Sequence, residues 1–177
     1  MGAGRYAPSV GEQYLMARKW ALTDRFTITD TVGMPRFEVR GRFAFTKKLT
    51  IRDAAGVDSA VISRTGFRAR YEILSGGQLT TMRARGFFGQ RFEIDSAAGR
   101  LEAQGNFSGR HYSVKRGGTE VAAVTQLRTL RERFAVEVAD GEDAVLMLAV
   151  VLVIETIRDD RRRRRRQSSA AGAPAGA

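Results

Sequence analysis

The chain has 177 residues, one domain's worth with room for tails, and its 43% apolar content is enough for a hydrophobic core. It carries 30 Lys and Arg against 19 Asp and Glu, a formal charge of +11. The absence of cysteine and the single histidine, His111, exclude a disulfide scaffold, a thiolate metal site, a cysteine nucleophile and a two-histidine mechanism, so no cofactor and no metal are expected.

Of the cations 26 are Arg and 4 are Lys, a bias that composition alone could produce, so position is more telling than the total. Residues 39–92 hold eleven cations against Asp53, Asp58 and Glu72, net +8. Residues 1–38 sum to +1 and residues 93–157 to −3, so the middle third is where the folded body is basic. Residues 158–177 add seven Arg against two Asp.

Residues 1–13 read as a flexible lead: Gly2, Gly4 and Pro8 punctuate it, and it has no apolar run of the kind that directs export. From Tyr14 to Val138 the pattern is short strands between turn residues. Twelve are expected, at 14–22, 25–30, 36–41, 48–53, 59–64, 68–74, 78–85, 90–95, 100–106, 110–116, 119–126 and 133–138. Phe37, Val39, Gly41 and Phe43 alternate with Glu38, Arg40 and Arg42; Phe67, Ala69, Tyr71 and Ile73 alternate with Arg68, Arg70 and Glu72. Phe134, Val136 and Val138 likewise oppose Ala135 and Glu137. Period-two alternation gives each strand one buried and one wet face.

The turns agree. Gly76-Gly77 and Gly117-Gly118 suit two-residue hairpins that need positive φ. A longer unit recurs as Phe26-x-Ile28-x-Asp30-x-x-Gly33 and Leu49-x-Ile51-x-Asp53-x-x-Gly56, with a looser copy from Phe92 to Gly99. In each, a carboxylate can bond the turn backbone and Gly takes the left-handed position. A calcium loop would need more oxygen ligands than this unit supplies.

After the strands, Asp140-Gly141-Glu142-Asp143 precedes eleven uninterrupted apolar residues, Ala144–Ile154. Asp140 is the expected N-cap, and the acidic residues suit the positive end of a helix dipole. A helix apolar on every side must be surrounded. Eleven residues rise about 16 Å, short of the ~30 Å bilayer core, so this is a core helix rather than a membrane span. Twelve antiparallel strands and one such helix fit a barrel closed around it, which also hides the sheet edges. The barrel domain is placed at 14–158. Residues 159–177, Arg-rich and then Ala/Gly/Pro, are expected to be disordered.

Tyr14-Leu15-Met16-Ala17-Arg18-Lys19, followed by Phe26-Thr27-Ile28-Thr29-Asp30, resembles the opening of the LURP-one-related proteins. Arg70-Tyr71-Glu72-Ile73, Gly105-Asn106-Phe107, Gly117-Gly118 and Ala139-Asp140-Gly141-Glu142-Asp143 follow in that family's order, so the resemblance spans about residues 14–157. It implies the fold of the Tubby C-terminal-like superfamily, which includes the phospholipid scramblases: a twelve-stranded barrel around a central C-terminal helix. Tubby domains bind phosphoinositide headgroups through basic strand residues. The resemblance supplies no position-by-position match to those contacts, and no acidic calcium segment of the scramblase kind is present.

No nucleophile elbow, dinucleotide fingerprint or phosphate-binding Gly-Lys-Ser/Thr loop occurs, and His111 lacks a visible orienting carboxylate. A non-enzymatic role is expected. Arg40, Arg42, Lys47, Lys48, Arg68, Arg70, Arg83 and Arg85 would form an outward cationic surface if their strands are neighbours. Such a surface attracts an anionic membrane, a phosphorylated headgroup or nucleic acid. A solvated barrel exterior, or a barrel that only binds protein partners, remains the alternative. Single-strand binders interleave aromatics with cations; here Phe37, Phe67, Tyr71 and Phe92 alternate inward, which favours the lipid or headgroup. The protein is expected to be a cytoplasmic monomer without a transmembrane segment, peripheral if it meets a membrane.

Overall fold

The computed structural model describes residues 10–19, 25–42, 48–65, 70–85, 91–127 and 133–171. Its strands are β1 (Val10–Lys19), β2 (Arg25–Asp30), β3 (Pro35–Arg42), β4 (Lys48–Asp53), β5 (Asp58–Thr65) and β6 (Arg70–Ser75). They continue as β7 (Gln78–Arg85), β8 (Arg91–Ser96), β9 (Gly99–Asn106), β10 (His111–Arg116), β11 (Thr119–Gln126) and β12 (Arg133–Ala139). Helix α1 (Ala144–Ala171) follows. Each strand pairs antiparallel with the next, and β1 pairs with β12 to close the barrel. The expected twelve-stranded closed barrel is therefore observed.

Alternation does the sorting. Ile28, Val39, Ile51, Ile62, Ile73, Met82, Ile94, Leu101 and Val114 point inward and are fully buried. Met147–Val153 of α1 have no exposed surface at all. An apolar helix enclosed by apolar strand faces removes both surfaces from water, at about 1.5–3 kcal/mol per large aliphatic side chain.

Because consecutive strands pair antiparallel, the barrel has two ends. The β2–β3, β4–β5, β6–β7, β8–β9 and β10–β11 turns share the end where β12 passes into α1, called here the hairpin end. The helix runs through the barrel and leaves at the other, the exit end, beside the β9–β10 turn.

The recurring sequence unit is one recurring turn. Asp30 Oδ1 accepts the N–H groups of Val32 (3.1 Å) and Met34 (2.9 Å), while Asp53 Oδ1 accepts those of Ala55 and Val57 (both 2.9 Å). Gly33 and Gly56 take the same left-handed φ, 87° and 82°. The looser copy differs: Asp95 turns outward to Arg100 Nε at 3.0 Å, and Ser96 closes the turn on the Gly99 carbonyl.

Three boundaries differ from expectation. Strand β1 begins at Val10, within the expected lead, because Val10–Gln13 extend the ladder with β12 although their side chains do not alternate in polarity. The helix cap is Asp143, not Asp140: Asp143 Oδ1 accepts the Leu146 N–H at 2.9 Å, and Gly141 (φ 78°) turns the chain between the two. Residues 159–171, expected to be disordered, are helical: α1 continues through Arg161–Arg166 to Ala171. Arginine and alanine are good helix formers and no Gly or Pro interrupts them, so propensity carries the helix beyond its buried part. Residues 161–169 of this extension are exposed.

Candidate functional site

Arg40, Lys48, Arg70, Arg83 and Arg85 all stand on the outer face of the barrel, exposed, as alternation required. Arg42 lies in β3 directly opposite Lys48. The side chain of Arg42 falls outside the described residues, as do Lys47 and Arg68. The cations form two groups, on β3–β4 and on β6–β8. Between them β5 presents Val61, Ser63 and Thr65 outward and no cation.

Four arginines of these two groups are already engaged. Arg40 Nη2 meets Glu38 at 2.9 Å, Arg52 Nε meets Asp58 at 2.7 Å, Arg85 Nε meets Glu93 at 2.9 Å and Arg91 Nε meets Glu102 at 2.6 Å. Arg85 and Arg91 are direct cross-strand neighbours, each carrying its own carboxylate. One pair differs. Arg70 on β6 is directly opposite Arg83 on β7. The carboxylate across from Arg83 is Glu93, which bonds Arg85 instead. Among the described residues no ion pair joins Arg70 or Arg83 to a carboxylate. Like charges directly opposite on a sheet destabilise it, so among the described residues this pair is a local cost.

Next to that pair along the same outer face, β6 and β7 present Glu72 and Thr81, then Leu74 and Leu79. The two leucines are direct cross-strand neighbours, 48% and 58% exposed. The aromatic residues face the other way: Tyr71 and Phe92 are 1% exposed, and Phe37 packs against Tyr14 at 6.0 Å between ring centres. Phe67 lies outside the described residues.

Inside the exit end is a second charged cluster, which sequence reasoning missed. Glu155 is fully buried, and its Oε2 accepts Arg110 Nε (2.9 Å), Arg110 Nη2 (2.8 Å) and Arg158 Nη1 (3.0 Å). Arg110, 2% exposed, also donates Nη1 to Gln126 Oε1 at 2.8 Å and covers the Phe134 ring at 4.8 Å. Its φ of 53° is left-handed, which a non-glycine residue holds only when its surroundings fix it. The Tyr112 hydroxyl nearby is raised well above its ordinary pKa by burial, reinforced by the Glu155 charge. The available signal was a lone carboxylate closing an all-apolar run, which has to find a cation if it is enclosed.

His111 stands on the outer face of β10, exposed, between Asn106 and Thr125 of the neighbouring strands. Among the described residues no three His, Asp or Glu side chains come together as a metal site. Among the described residues no helix is long and apolar enough to cross a membrane.

Comparison with known proteins agrees with this architecture. A solved structure of an Arabidopsis thaliana protein is similar to the chain with a TM-score of 0.64 at 18% identity, covering 84% of this chain and 93% of that one. At that identity the likeness speaks for the fold. No curated protein matches the chain. The family profile described as LURP-one-related matches residues 12–155, from Glu12 in β1 to the buried Glu155, and the chain belongs to the LURP-one-related family.

Proposed function

We propose that the protein is a non-enzymatic binding module for anionic lipid or phosphorylated headgroups, with its contact on the outer face of β6 and β7. The observation that carries this reading is the Arg70–Arg83 pair, two exposed guanidinium groups held opposite each other with no carboxylate between them. Guanidinium forks match phosphate oxygens bidentately, and a bound phosphate turns the like-charge repulsion into a shared attraction. Each cation near an anionic surface contributes about 1 kcal/mol, within a Debye length of about 8 Å. The expected behaviour is weak, salt-sensitive, peripheral attachment by a monomer.

Sedimentation with anionic and neutral vesicles tests it, alongside titration with a soluble inositol polyphosphate. Arg70→Gln with Arg83→Gln should weaken both anionic interactions without lowering the melting temperature, since exposed charges stabilise little. Equal binding of the double variant and the unaltered protein would refute the site. The runner-up partner is nucleic acid, favoured by the exposed Arg161–Arg166 helix. Preference for DNA or RNA with a steep salt slope, unaffected by the two substitutions, would put that reading first.

A further inference from the structure

Five large apolar side chains are exposed among the described residues: Val32, Met34, Val57, Leu74 and Leu79. All five lie at the hairpin end, in or beside three consecutive turns, β2–β3, β4–β5 and β6–β7. Scattered exposed aliphatics are ordinary, but their gathering on three neighbouring turns of the five at this end marks a contact surface. The backbone there is already satisfied. The N–H groups of Val32, Met34 and Val57 are bonded to the Asp30 and Asp53 carboxylates, and the Asp30 and Asp53 N–H groups bond the Met34 and Val57 carbonyls at 3.0 Å. These tips can leave water without stranding the amide groups that carry their apolar side chains.

We infer that the hairpin end of the barrel inserts its Val32, Met34, Val57 and Leu79 tips into the surface of an anionic lipid bilayer, while Arg70 and Arg83 hold phosphates above them. This rests on the anionic-surface reading of the arginine pair and narrows it to a bilayer. The argument for that occupant is the order of side chains on one hairpin face. From the tip inward come the Leu74–Leu79 pair, then Glu72 and Thr81, then the Arg70–Arg83 pair. Leu79 and Arg83 are four residues apart, about 13 Å along a strand. A hairpin entering at a slant thus places the leucines roughly 5–10 Å deeper than the arginines, the depth at which apolar groups of peripheral proteins reach the acyl boundary. A small soluble phosphate would meet the arginines but leave the apolar arc in water.

The chain has no cysteine, so a single introduced thiol can carry an environment-sensitive dye on the full-length protein. Dye at Val57→Cys should shift to the blue on anionic vesicles and be quenched by brominated acyl chains. Dye at Thr125→Cys, on the far wall, or at Ser168→Cys, on the helix extension, should do neither. Separately, Val57→Gln with Leu79→Gln should reduce vesicle affinity roughly tenfold and leave inositol polyphosphate binding unchanged. Silence at position 57 with a response at 168 would overturn the inference, as would unchanged vesicle affinity in the glutamine variant. Either result leaves the headgroup site standing if polyphosphate binding still depends on Arg70 and Arg83. Loss of polyphosphate binding and vesicle binding alike in the glutamine variant would also overturn it, by showing that the tips act through the arginine site.

Discussion

The two ends of the barrel solve opposite problems. At the hairpin end, short turns satisfy their own backbone through Asp30 and Asp53, and the apolar side chains are left outside. At the exit end a carboxylate and a guanidinium are enclosed: Arg110 and Arg158 converge on Glu155 Oε2 and Arg110 also reaches Gln126, while Glu155 Oε1 is buried without a hydrogen-bond partner among the described residues. Exposed aliphatic groups are common on folded surfaces, whereas a buried charge is tolerable only when paired. The exit end is committed to holding the helix at one depth.

That contrast predicts a hierarchy of effects. The largest belongs to the enclosed helix: Leu148→Asp places a charge at a position with no exposure and should abolish folding. A soluble, cooperatively melting variant would falsify the enclosed-helix fold. Next is the exit-end cluster. Glu155→Ala leaves Arg110 buried without its carboxylate and should cost about 3–5 kcal/mol in denaturant unfolding. Replacing both, Arg110→Met with Glu155→Leu, should recover most of that loss; if it does not, the pair contributes something beyond mutual neutralisation.

Smaller effects probe the hairpin end. Asp30→Ala and Asp53→Ala should each cost about 1 kcal/mol, because each removes an acceptor of two turn N–H groups. Asp95→Ala should cost less, since that carboxylate holds only an exposed arginine. Equal costs at all three would show that the turn bonds are not what distinguishes the two true repeats. Alkaline titration sharpens the comparison from the interior. Burial raises the phenols of Tyr71 and Tyr112, so above pH 10 the unfolded chain releases protons that the barrel retains. Stability should fall as pH rises past that point, and Tyr112→Phe should make the fall shallower.

Much of this was legible in the sequence, for physical reasons that can be named. Strand number followed from period-two alternation, and the helix from an apolar run too long for a strand and too short for a bilayer. The Asp-x-x-Gly unit was read as a turn, and its two close copies share one hydrogen-bond network. The Arg70–Arg83 opposition was also within reach. A two-residue turn at Gly76-Gly77 sets Ser75 opposite Gln78, and counting back sets Arg70 opposite Arg83.

What stayed hidden depends on tertiary surroundings. The Val10–Gln13 stretch carries no alternation, yet its backbone completes the closing ladder. Arg110 looked like one more cation at a strand edge; only the helix passing beside it makes it a buried partner of Glu155. Nor could alternation show that, among the described residues, Arg40 and Arg85 are engaged by carboxylates while Arg70 and Arg83 are not. Val32, Met34 and Val57 read as turn residues until the barrel gathered their turns at one end.

The central claim is that one end of this barrel meets a phosphate-bearing bilayer and the other does not. Backbone NMR of the full-length protein on anionic bicelles carrying a paramagnetic lipid tests it directly. The account predicts broadening at Val32–Met34, Val57 and Gly76–Leu79, with chemical-shift changes at Arg70 and Arg83. Phe107–Arg110, Gln126 and the helix beyond Arg158 should be untouched. Broadening confined to Arg161–Arg166, with the hairpin turns unaffected, would contradict it.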